Sequence, residues 1–249
     1  MPDDTLNNTM KSYQHSNAQL ANTAADSVMN RSAELAALES HLEALTEHYQ
    51  EMERIGCNAK ESADTKLQMA RALAGLERGG EAWALGREAF DIFIEKADWE
   101  SAADVCDVLF QSNQGGSIAA LGQGIWLAVT CPIDPELTVE LLTHVVDETP
   151  DDADGAAVAA TTALFVADTR ARGKTREDLV FFSTQILANV ARRHSEVETQ
   201  EQFDLWLDRL ELREPEKFLI RLRNVVDVLV QDQWWFDREA LQQQIPVSE

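Results

Sequence analysis

Apolar residues recur at steps of three and four along most of the chain, and no stretch alternates with period two for long enough to read as a strand, so the pattern predicts an all-α protein. After a polar opening rich in Asn, Ser, Thr and Gln, the stripe Leu35, Leu38, Leu42, Leu45 and Tyr49 predicts a long helix from about Asn30 to Ile55, closed by Gly56. Asn58 and Glu61 have capping-box spacing, and the helix they open is expected to end at Gly79-Gly80. Trp83, Leu85, Ala89, Phe90 and Phe93 mark the next helix, which breaks at Ala97-Asp98, where Asp98 can cap its successor. Ile118 to Trp126 predict a helix ending at Pro132. Asp134-Pro135 then supplies an N-cap followed by proline in the first turn, opening a helix that closes before Pro150. Asp151 and Asp152 are expected to open an alanine-rich helix, and Thr175/Asp178 and Ser195/Glu198 read as further capping boxes. Pro215 starts the segment with the cleanest stripe, Phe218 to Leu229.

The turns at Asp98, Asp134 and Lys174 lie 36 and 40 residues apart, a recurrence that predicts stacked helical hairpins, an α-solenoid. The stretch Asp147-Glu148-Thr149-Pro150-Asp151-Asp152-Ala153-Asp154 resembles the proline-containing turn between tetratricopeptide repeats. Ala102-Ala103 resembles the small pair that lets two such helices pack closely, while Trp83-Ala84-Leu85-Gly86 carries that family's signature letters at another spacing. The resemblance covers roughly residues 60–195. It implies a right-handed stack of antiparallel hairpins with a concave groove that grips peptides or protein surfaces. The expected division is a polar flexible arm over 1–29, a helical-hairpin repeat domain over 30–195, and a C-terminal helical cap with an aromatic tail over 196–249.

Charge changes this picture most. The formal net charge is −23, which disfavours nucleic acid and anionic lipid and favours a basic protein partner. From Ala97 to Thr169 there are thirteen acids in 73 residues and no Lys or Arg. Either the later basic residues fold back on that block or a basic partner covers it. The candidate partner-binding residues are therefore Asp98, Glu100, Asp104, Asp107, Asp134, Glu136, Glu140 and Asp147. Trp234, Trp235 and Phe236 join them, because three consecutive large aromatics either dock on the body or form a hot spot.

Catalytic signatures are not apparent. Arg172-Gly173-Lys174-Thr175 resembles the end of a phosphate loop, but Asp168 stands where that loop needs glycine. Gly122-Gln123-Gly124 lies inside a helix and reads as a close packing point. None of His15, His41, His48, His144 and His194 has an acid three residues earlier, so the helical di-iron pattern is absent, and Glu39, Glu43, Glu47 and Glu51 read as a solvated face. Cys57, Cys106 and Cys131 are too widely spaced for a metal or redox pair and read as free, mostly buried thiols. The expectation is a non-enzymatic, cytoplasmic adaptor, scaffold or dedicated chaperone with no cofactor and no metal, holding a basic protein or peptide on an acidic helical-repeat surface. It is expected to bind neither nucleic acid nor membrane, and the N-terminal helix offers a stripe for a homodimer. The alternative is a maturation chaperone for a redox enzyme that binds an Arg-containing leader; such proteins are similar in size and composition. An enzyme with dispersed catalytic residues is the third reading.

Overall fold

The computed structural model describes the backbone of residues 3–245 and the side chains of residues 29–245. The expected polar arm thus lies outside the described side chains, except for Met29. Eleven helices and no strand occur among the described residues: α1 (Asp3–Ile55), α2 (Ala59–Gly75), α3 (Gly79–Glu95), α4 (Trp99–Gln111), α5 (Ser117–Thr130), α6 (Pro135–Glu148), α7 (Asp154–Arg170), α8 (Gly173–Ser195), α9 (Gln200–Arg209), α10 (Pro215–Val230) and α11 (Arg238–Gln242). Each helix from α1 to α8 packs on the next, and α2, α4, α6 and α8 also touch in sequence, so they form one row. The helices α3, α5 and α7 stand as the opposite row. The all-α stack of helical hairpins is thus the architecture of the chain.

Local chemistry explains where the hairpins turn. Asn58 and Glu61 form the expected capping box, Asp98 accepts the Ser101 N–H, and Asp134 accepts the Glu136 N–H ahead of Pro135. Gly79-Gly80, expected to end α2, instead begins α3, because the turn is made two residues earlier by Glu77 in the left-handed region (φ 59°). Gly79 is needed for another reason: a Cβ there would sit 2.1 Å from the Ser112 carbonyl oxygen. The Thr175/Asp178 box does not form, since α8 starts at Gly173 and places Thr175 inside the first turn. The Ser195/Glu198 box is displaced to Thr199 and Gln202, because α8 runs on through Ser195. The alanine-rich helix begins at Asp154 behind Ala153, with Asp151 and Asp152 left in the turn.

Three turns share one device. Ala97 (φ 53°) donates to the Ile94 carbonyl and Asp98 to the Phe93 carbonyl, and the same pair of bonds recurs at Glu77/Arg78 and at Glu211/Leu212. Glycine is the residue that adopts this conformation without cost. Ala97→Gly is therefore expected to stabilise the protein by about 1 kcal/mol. A urea midpoint shifted upward at unchanged slope would show it, and an unchanged or lower midpoint would contradict it.

In the C-terminal part, α9 packs on α8, the last helix of the stack. α10 lies across α5 and α7, and close approach there depends on Gly122, where a Cβ would meet Val230 Cγ2 at 2.6 Å. Gly124 does the same toward α4, where a Cβ would lie 2.7 Å from the Cys106 Cβ. Gly122-Gln123-Gly124 is thus the close packing point that its sequence suggested, and Gln123 between the two glycines is fully buried. Its Oε1 accepts the Trp235 N–H at 2.8 Å, and so fastens the tail 112 residues further on.

The later basic residues also fold inward. Arg170 donates to the carbonyls of Ala128, Val129 and Cys131, closing the C-terminal end of α5, and Arg193 does so at Val146 and Thr149 for α6. Arg193 also approaches Asp151, Arg221 binds Asp154 at 2.7 Å, and Arg176 pairs with Asp168. These basic residues thus pair with Asp151, Asp154 and Asp168 in the late part of the acidic block and do not reach its earlier part. Cys106 and Cys131 are buried free thiols. Burial pushes both above the ordinary thiol value, Cys131 to about 11, which keeps them unreactive. No described helix is long and apolar enough to cross a membrane.

Candidate functional site

The helix starts of α4 and α6 lie side by side, and this parallel placement decides where the candidate acids go. Glu100, Asp104, Asp134, Glu136 and Glu140 line one open hollow of about 310 Å³, with Ser101 and Leu137 between them. Glu100 accepts the Asp134 N–H at 3.2 Å, linking the two helix starts directly. Glu100, Asp134 and Glu136 stand at helix N-termini, where the exposed N–H groups favour negative charge, so their crowding costs less than the bare count implies. Among the described residues, Glu100, Asp134, Glu136 and Glu140 have no Lys or Arg within 4 Å. Asp104 differs, pairing with Arg71 of α2 at 2.5 Å.

Behind the hollow lies a buried carboxylate. Asp107 is 2% exposed; its Oδ1 is 2.9 Å from His144 Nε2 and its Oδ2 accepts from Gln111 Nε2 at 2.5 Å. Phe110 tilts against the His144 ring at 4.7 Å, holding the imidazole between α4 and α6. The hydrogen bond to Asp107 lifts His144 above its ordinary 6.5, against the opposing effect of burial, and the charges of Asp107, Glu140 and Asp147 add to the rise. Glu140, one turn before His144, is also held above the ordinary carboxylate value, by burial first and then by the neighbouring Asp107 charge. Asp107, Glu140 and His144 each place one donor atom within 4.8 Å of the others. That set could share one cation, yet Asp107 already has both oxygens satisfied by His144 and Gln111.

The other candidates fall elsewhere. Asp98 is spent on the cap of α4 and on Lys60, 2.6 Å away. Asp147 is exposed on α6, three residues past His144. The structure does not bring Trp234, Trp235 and Phe236 to the acids: they are half-buried on the opposite row. Trp235 meets Phe90 edge-on at 5.1 Å under the Arg87 guanidinium, and Phe236 and Trp234 pack on Trp126 of α5. Sequence reading missed His144 and Gln111. The visible signal was Glu140 four residues before His144, one helix face; Asp107 joins them only through the packing of α4 on α6. What this arrangement offers chemically is a row of hydrogen-bond acceptors with negative charge, suited to Lys and Arg side chains. No family model matches the chain, and no curated protein or solved structure matches it either.

Proposed function

We propose that the chain is a non-enzymatic, tetratricopeptide-like protein-binding module, acting as an adaptor, scaffold or dedicated chaperone, that holds a basic protein or peptide against the hollow between α4 and α6. The observation that supports this reading is the convergence of Glu100, Asp134, Glu136 and Glu140 on one surface without a basic neighbour within 4 Å among the described residues. Among the later acids, Asp151, Asp154 and Asp168 are matched internally by Arg193, Arg221 and Arg176, whereas the acids of the hollow other than Asp104 are left for a partner to neutralise. Complementary charge of this kind sets encounter rate and orientation, and salt screens it.

The test is fluorescence anisotropy with a Lys- and Arg-rich peptide. Affinity should fall steeply between about 0.01 and 1 M ionic strength, where the screening length shrinks from about 30 to 3 Å. The double reversal Glu136→Lys/Glu140→Lys should weaken binding at least about tenfold. The same reversal at Glu177 and Glu201, exposed acids that do not line the hollow, should change it far less. Equal losses from both pairs would reduce the binding to net charge and remove the hollow as a site.

A further inference from the structure

The row opposite the hollow has gaps between successive helices, and the chain fills two of them itself. The gap between α5 and α7 holds α10, an amphipathic helix of 16 residues whose apolar stripe faces inward. The gap between α3 and α5 holds Trp235, placed against Trp83 and Phe90 of α3 and tied to Gln123 of α5. The gap between α1 and α3 is the next in the same series, and no described segment lies in it. It is a groove of about 670 Å³ over α2. Its apolar surface comes from Leu42, Met69, Leu73 and Leu85, and Glu43 and Glu47 of α1 stand along its edge. Leu42 and Leu73 belong to a small apolar cluster separate from the main core, with Met69 and Leu85 only partly covered.

We infer that the α1–α3 groove docks an amphipathic helix of a partner protein that carries Lys or Arg beside its apolar stripe. Continuity with the filled gaps argues for the helix: α10 shows that a helix of about four turns fits between neighbours in this row. Charge argues for its basic flank, since Glu43 and Glu47 are exposed and neither has a Lys or Arg within 4 Å among the described residues. Among the described residues, the one cation lining the groove, Arg78, is already paired with Glu81 at 2.7 Å. This surface is separate from the α4–α6 hollow, so the two assignments stand or fall independently.

Two synthetic peptides of identical Leu and Lys composition, about sixteen residues each, provide the probe. One places Leu at i, i+3, i+4 and i+7; the other is shuffled so that no helical stripe exists. Titrated into the full-length protein and followed by anisotropy, the striped peptide should bind at least about tenfold tighter than the shuffled one. Ala84→Trp, at an exposed position lining the groove, and Glu43→Lys/Glu47→Lys should each weaken the striped peptide at least about tenfold. Because the shuffled peptide carries the same charge, Glu136→Lys/Glu140→Lys should leave the striped peptide's advantage over it unchanged. Equal binding of the two peptides overturns the assignment, as does indifference to Ala84→Trp and to the Glu43/Glu47 reversal. Loss of that advantage on the Glu136/Glu140 reversal alone moves the striped peptide to the hollow and also overturns the assignment. A dimer in sedimentation that Ala84→Trp abolishes would make the occupant a second copy of this chain, against the partner assignment.

Discussion

Gly122→Val should unfasten α10 from the body and cost about 2–3 kcal/mol of stability. A first side-chain carbon at that position would lie 2.6 Å from Val230 Cγ2 and 3.0 Å from the Leu229 Cβ, so α5 and α10 must separate. Valine is a slightly better helix residue than glycine, so propensity works against the loss and the clash decides the sign. Separation would also disturb the Gln123 bond to Trp235 one residue along, and the tail aromatics would become wetter. The measurement is thermal unfolding followed by tryptophan fluorescence and by far-ultraviolet dichroism. A lower Tm with a red-shifted native emission is the expected result. Gly80→Ala is the internal contrast: nothing lies within 4 Å of its added carbon, so the same class of change there should stabilise by up to about 1 kcal/mol. Equal effects at Gly122 and Gly80 would show that α10 does not sit tightly on α5.

Asp107→Ala is expected to cost about 2 kcal/mol near pH 6 and distinctly less near pH 9. The substitution leaves Gln111 and His144 without their acceptor and removes the only contact that lifts the imidazole by hydrogen bonding. The direction with pH follows from that raised value. Protonated His144 gains a partner on folding, so its contribution is complete below the ordinary 6.5 and is lost as pH rises through the higher folded-state value. Urea midpoints of the native protein and the variant should therefore converge as the solution becomes alkaline. A gap that stays constant from pH 6 to pH 9 would mean that Asp107 stabilises by packing and neutral hydrogen bonding alone.

What could be read in advance, and what could not, divides by the range of the interaction. Asn58, Asp98 and Asp134-Pro135 act within one helical turn, and each caps where its local pattern placed it. The boundary error at Gly79-Gly80 comes from a turn made without glycine: Glu77 holds a conformation that its side chain does not advertise, and Gly79, which does advertise a turn, answers instead to the Ser112 carbonyl. The acids of the hollow were visible as a run without cations, but the run alone could not distinguish Glu136, which is left free of Lys and Arg among the described residues, from Asp104, which Arg71 neutralises from the neighbouring helix α2 of the same row. Nor could it reveal that Asp107 points inward to His144. The aromatic run was recognised as either docked or exposed, and its place against Trp83, Phe90 and Trp126 depends on contacts more than a hundred residues apart.

That long separation matters during synthesis. Trp83, Phe90 and Trp126 emerge from the ribosome well before the residues that shelter them, and the Gln123 to Trp235 bond spans 112 positions. At about 5–20 residues per second, the hairpin stack waits about 5–20 s with an aromatic face bare. A nascent chain in that interval is a natural client for a holding chaperone, and a stop codon ahead of Pro215 would make the interval permanent. Chains ending there should partition to the insoluble fraction even though every hairpin of the stack has been made.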